Sequence, residues 1–212
     1  MRHAPFLAVA LAGLTLAAAC TSPDRFGAGA RRATLAAAGG DLLVRRPAQQ
    51  LALSLLDLPP GFTIAEELKP ALDGAASPDP WGRLSAYGVT YAPAPGSTGA
   101  AEDWDAVVSS VNAYVGTAQA AEAFASWRSA VPAQYRLSED ARAQLGDETV
   151  VYVRTGESGP RGVRPTCLVG LRARNVIASI SVSAPAGAAA PVESALRLAR
   201  LTAQRIQAVA GR

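Results

Sequence analysis

The sequence is short of the residues on which most enzyme chemistry rests. Across 212 residues there is one histidine, His3, one methionine, Met1, one lysine, Lys69, and two cysteines, Cys20 and Cys167. His3 and Met1 both belong to the N-terminal apolar stretch, so a chain processed after that stretch carries neither. Lack of histidine excludes a Ser-His-Asp triad, a histidine-containing zinc site and an HExxH helix. It also leaves Cys167 without a base to activate it as a nucleophile. Set between Val169, Leu171 and other strand-forming residues, Cys167 reads as a small buried apolar residue. Charge is scarce too, at 17% of residues with a formal balance of +3. That balance is too small to argue for nucleic acid, and no nucleic-acid partner is expected. No apolar run reaches the roughly 20 residues of a transmembrane helix.

What the chain does have begins at its N-terminus. Arg2 precedes an apolar run from Ala4 to Ala19, and small residues lead to Cys20. A basic start, an apolar centre and small residues before a cleavable bond are the three parts of a secretory leader. The stretch Leu16-Ala17-Ala18-Ala19-Cys20 resembles the lipobox of bacterial lipoproteins, with Ala17 in the usual place of the larger residue and Leu16 one position further out. The resemblance implies a thioether-linked diacylglyceryl group on Cys20, with cleavage before it. Several acyl chains, at roughly 0.8 kcal/mol per buried CH₂, would hold the protein durably on a membrane. The expected organisation is a signal peptide over 1–19, a flexible tether over 20–46 and a single domain over 47–212. The expected location is the cell membrane or outer membrane, facing outside the cytoplasm.

Periodicity divides the domain into elements. Pro47 to Leu58 reads as a helix with Leu51, Leu55 and Leu58 on one stripe, stopped by Pro59-Pro60-Gly61. Leu84 to Tyr91 and Ala106 to Val115 alternate as strands, and Thr117 opens a helix whose Ala120, Phe124, Trp127 and Val131 share a face. Three further strands follow, Thr149 to Arg154, Thr166 to Arg172 and Asn175 to Ser183. The last two are joined by a tight turn around Arg172-Ala173-Arg174-Asn175. Pro191 starts a final helix with Val192, Leu196, Ala199, Ala203 and Ile206 on its apolar side. The class expected is α+β: one antiparallel sheet of about five strands, with two or three helices packed on one face. Strand-helix units over 84–131 and 146–210 suggest a weak internal duplication.

Candidate functional residues are few. Trp81, Trp104 and Tyr114 are candidates for a ligand groove, since aromatic rings near loops line small-molecule sites. From Val151 to Arg212 nine Arg face two Glu, a balance of +7, whereas Cys20 to Val150 carries −5. Arg172, Arg174, Arg197 and Arg200 are therefore candidates for a basic surface, each worth roughly 1 kcal/mol against an anionic membrane. Paired carboxylates occur at Glu102-Asp103 with Asp105, at Glu139-Asp140 and at Asp147-Glu148. Such pairs supply acid and base for glycoside cleavage, or oxygens for calcium. No glycine-centred calcium loop or aromatic sugar platform accompanies them, so no metal, no cofactor and no catalytic residue is expected.

Asp57-Leu58-Pro59-Pro60-Gly61-Phe62, then Gly146-Asp147-Glu148 entering a strand, then a strand pair with a basic turn and an Ala-rich C-terminal helix, resemble small bacterial lipoproteins and secreted sensor-like domains of the actinobacterial type. These include extracellular sensor domains of some mycobacterial receptor kinases and lipoproteins of Mog1/PsbP-like α+β fold. The disulfides of the kinase domains are missing here. The resemblance implies a non-enzymatic protein that binds an envelope partner or small ligand at the cell surface. The alternatives are a carboxylate-based hydrolase of cell-wall or glycan substrates and a structural envelope protein.

Overall fold

The structure, a computed structural model, describes residues 43–69, 81–96, 104–131, 135–137, 144–155 and 163–210. The expected signal peptide, Cys20 and the expected tether up to residue 42 lie outside the described residues. So do Glu102, Asp103, Glu139 and Asp140.

The alternating segments form one antiparallel sheet. Its strands are β1 (Phe62–Leu68), β2 (Arg83–Pro93), β3 (Ala106–Tyr114), β4 (Arg136–Leu137), β5 (Glu148–Arg154), β6 (Thr166–Ala173) and β7 (Val176–Ser183). The order across the sheet is β1-β2-β3-β7-β6-β5-β4. Six strands have seven residues or more and β4 has two, against the five expected. The additional long strand, β1, is an edge strand on which only Phe62 is buried. With no buried face it carries no alternation for periodicity to detect.

Alternation places Tyr87, Val89 and Tyr91 of β2, Val107 and Val111 of β3, Val169 and Leu171 of β6, and Val176 to Val182 at every second residue of β7 on a first face. Helix α3 (Val192–Ala210) covers this face with Leu196, Leu198, Ala199, Ala203 and Ile206. Helix α2 (Thr117–Ala130) does not join it. Phe124 and Ala120 pack with Tyr114, Val150 and Ile177 in a separate cluster on the second face. The expectation of all helices on one face is thus corrected: the sheet is covered on both sides. Gly170 admits α2 closely on the second face: the Trp127 ring lies where a side chain at position 170 would stand.

The expected helix over Pro47 to Leu58 is only one turn long, α1 (Ala48–Leu51), followed by extended chain and a 3-10 turn at Leu55–Asp57. Side chains of the sheet bond the backbone of this segment. Ala48 N–H donates to Ser85 Oγ at 2.8 Å and Leu53 N–H to Ser109 Oγ at 3.2 Å. The Tyr91 hydroxyl donates to the Leu53 carbonyl at 2.6 Å. Upstream, Val44 is buried, and its N–H donates to Asn175 Oδ1 at 2.8 Å while its carbonyl accepts from Asn175 Nδ2 at 3.1 Å. The packed domain therefore takes in Val44, before the boundary at residue 47. Residues 44–58 form a strap across the first face beside α3.

Candidate functional site

The aromatic groove is not assembled. Trp104 is 5% exposed, edge-on to Phe62 with centroids 6.0 Å apart, and the Arg197 guanidinium lies 5.6 Å over its ring. Tyr114 belongs to the α2 cluster on the opposite face, and Trp81 is half-exposed at the start of β2. The sheet separates Trp104 from Tyr114, because residue 104 enters the first-face core while position 114 follows the second-face parity of Ser110 and Asn112.

The four arginines do not make one surface either. Arg197 and Arg200 are exposed on α3, over the first face. Arg172 pairs with Ile177 in register and so stands on the second face. There its charge is matched: Nε donates to Glu148 Oε1 at 2.6 Å and Nη1 to Asp147 Oδ2 at 3.0 Å. Arg128 of α2 lies 3.9 Å from the same glutamate.

Arg172 and Arg174 do, however, mark a built corner. β6 and β7 are joined by a two-residue turn, Arg174-Asn175, in which Arg174 has φ 56. Left-handed backbone is disfavoured for a residue with a side chain. The Asp147 carboxylate supports it, since Oδ2 also accepts the Arg174 N–H at 2.6 Å. Asp147 can reach because Gly146 lets the chain run against the turn: the Asp147 N–H donates to the Arg172 carbonyl at 2.8 Å, and a Cβ on Gly146 would collide with that oxygen. Asn175 is buried, and besides holding Val44 it donates to the Tyr114 carbonyl at 2.7 Å.

Beside this corner lies a concavity of about 330 Å³. Asp147, Arg174, Gln144 and Gln207 supply its polar lining, and the buried Ala173 and Ile206 its apolar part. Its size is at the lower end of small-molecule sites. The groups present can bind by charge of either sign and by amide hydrogen bonds.

Among the described residues, Asp105 stands apart from Asp147 and Glu148. Asp105 is ion-paired with Arg164 at 3.0 Å and its N–H bonds to Ser183, at one end of β7. Asp147 and Glu148 are at the other end, about 23 Å away along a strand of this length. Those two are adjacent to each other, but Arg172 is bonded to both. Cys167 is fully buried, and burial pushes its thiol up to about 12. Among the described residues no group of three His, Cys, Asp or Glu side chains is placed to hold a metal ion. No helix of the described residues is long and apolar enough to cross a membrane.

Sequence reasoning named Arg172 and Arg174 but not Asp147 as the support of their turn, nor Gln144, Ile206 and Gln207. The available signal was a two-residue hairpin turn written Arg-Asn, where left-handed backbone calls for Asn-Gly or Gly.

No family model and no curated protein matches this chain. Among solved structures it is similar to the extracellular domain of PknH from Mycobacterium tuberculosis, at 11% identity and a TM-score of 0.38, over 70% of this chain and 86% of that one.

Proposed function

We propose that the protein is a lipid-anchored, non-enzymatic binding module facing outside the cytoplasm, which takes an envelope protein or a small polar ligand at the Arg174 corner. The leader and the Leu16 to Cys20 stretch support the location. The observation that carries the binding role is the backbone of Arg174. A side chain in the left-handed region costs about 1 kcal/mol, which glycine would avoid. The turn instead carries a long cation, stabilised by Asp147 and lining a concavity. Strain kept at such a place marks a residue held for what its side chain meets. The lining favours a ligand with hydrogen-bonding groups over a purely apolar one.

The test is recovery of the full-length protein from its own membranes, with mass spectrometry of its N-terminus and of whatever co-purifies. Wild type is expected to start at a lipid-modified Cys20 and Cys20→Ala to leave the membrane fraction. Arg174→Gly is expected to stay anchored, unfold at an equal or higher urea concentration, and lose its co-purifying species. An unmodified N-terminus overturns the anchor; unchanged co-purification with Arg174→Gly overturns the corner.

A further inference from the structure

The strap ends in a turn that presents apolar side chains to solvent. Leu51, Leu53, Leu58 and Phe62 around it are buried, whereas Leu56 is 96% exposed and Leu55 42%. β1, which packs against this turn, adds Ile64 at 49%.

Single exposed leucines are ordinary. This pair differs because the turn bearing it is fixed from several sides. Ser54 caps it, its N–H and hydroxyl donating to Asp57 Oδ2 at 2.6 and 2.9 Å. Arg205 of α3 donates to Asp57 Oδ1 at 2.5 Å and to the Ala52 carbonyl at 2.6 Å. Tyr91 and Ser109 hold Leu53 just upstream. The leucines are therefore presented with their backbone already ordered, which lowers the entropy lost on binding.

We infer that Leu55 and Leu56, with Ile64, form an apolar contact that seats the domain on a lipid surface. The inference rests on the anchoring part of the proposed function. Residues 21–42 reach at most about 80 Å even fully extended, at 3.3–3.6 Å per residue. A domain held by Cys20 thus meets the bilayer at high effective concentration, and a two-leucine contact too weak to recruit it from solution suffices to orient it. The local cations are paired, Arg205 with Asp57 and Lys69 with Glu67 at 3.2 Å, and Glu66 adds a further carboxylate. Attraction to anionic lipid therefore contributes nothing, and the contact is apolar. The Arg174 corner, at the turn between β6 and β7, is separated from β1 by β2 and β3.

The experiment uses the whole mature chain on phosphatidylcholine vesicles. The chain is held either by its native N-terminus or by a histidine tag at residue 20 on a nickel-chelating lipid. An environment-sensitive fluorophore is placed at Leu56→Cys, with Arg200→Cys as the control; Cys167 is buried and unreactive. A blue shift with at least a twofold intensity gain at position 56, none at position 200, is expected. The gain is expected to persist at 0.5 M salt, on the order of magnitude that screens exposed charges, and to disappear with Leu55→Ser. Water-like emission at position 56 while the chelated chain is vesicle-bound overturns the inference, as does a response that needs added envelope protein. Failure of the native anchor alone shows as loss of vesicle binding in the untagged chain, with the tagged response intact.

Discussion

Gly170 is the residue at which the sheet accepts its second-face cover. The Trp127 ring occupies the volume of its missing side chain and stacks on Phe124, with centroids 5.5 Å apart. Gly170→Ala forces Trp127 out of position, and overpacking of this kind costs about 2 kcal/mol. The urea midpoint of Gly170→Ala is expected to fall accordingly, and Gly170→Ala/Trp127→Leu to recover most of the loss. A single variant as stable as wild type would refute the fit. Sequence reading placed Trp127 in the core, because it shares a helical stripe with Phe124. It had no means of finding Gly170, since the contact joins a helix and a strand 43 positions apart. Trp104 was misread for the complementary reason: its irregular surroundings suggest a loop, and its burial depends on Phe62 and Arg197 from two other elements.

Among the elements, the strands were legible and the strap was not. Val176 to Ser183 alternates because one side faces α3, and that pattern is written in consecutive residues. Pro47 to Leu58 has helical spacing, yet Ser109 and Tyr91 take the Leu53 N–H and carbonyl that a helix would use. Burial pushes the Tyr91 hydroxyl up to about 12, assisted by the negative charge of Asp57, so it stays a donor to Leu53 at ordinary pH. At the strap's end, burial acts to raise the Asp57 pKa, but hydrogen bonds from Arg205 and Ser54 outweigh it and hold the carboxyl below its usual 3.8. A group with a lowered folded-state pKa contributes stability above its unfolded value, and that contribution is lost as pH falls through the folded value. Acid below 3.8 is therefore expected to weaken the strap. Asp57→Asn should lose about 2 kcal/mol at pH 7, the scale of a charged hydrogen bond. Its urea midpoint should then change less than that of wild type on acidification. Parallel pH profiles for the two proteins would remove the Asp57–Arg205 pair from the account.

At the scale of the molecule, a single sheet carries two apolar clusters, the larger under α3 and the strap, the smaller under α2. β3, β5 and β7 contribute side chains to both, so neither cluster survives loss of the sheet. Variants retaining only Trp104 or only Trp127 report on the two sides separately. Their denaturant transitions, each compared with circular dichroism of the same variant, are expected to coincide as a two-state unit requires. Separate midpoints within one variant would show that α2 detaches independently. The α+β class was readable because strand and helix periods differ. The division of helices between faces was not, since it depends on contacts between residues far apart in the chain, such as Phe124 with Val150 and Ile177.

The strap sets an order on the birth of the molecule. Val44 is bonded to Asn175, 131 positions later, and Ala52 and Asp57 to Arg205, 153 and 148 positions later. A chain that emerges N-terminus first delivers the strap early and its fasteners last. The face it covers therefore cannot be sealed until the final helix has arrived.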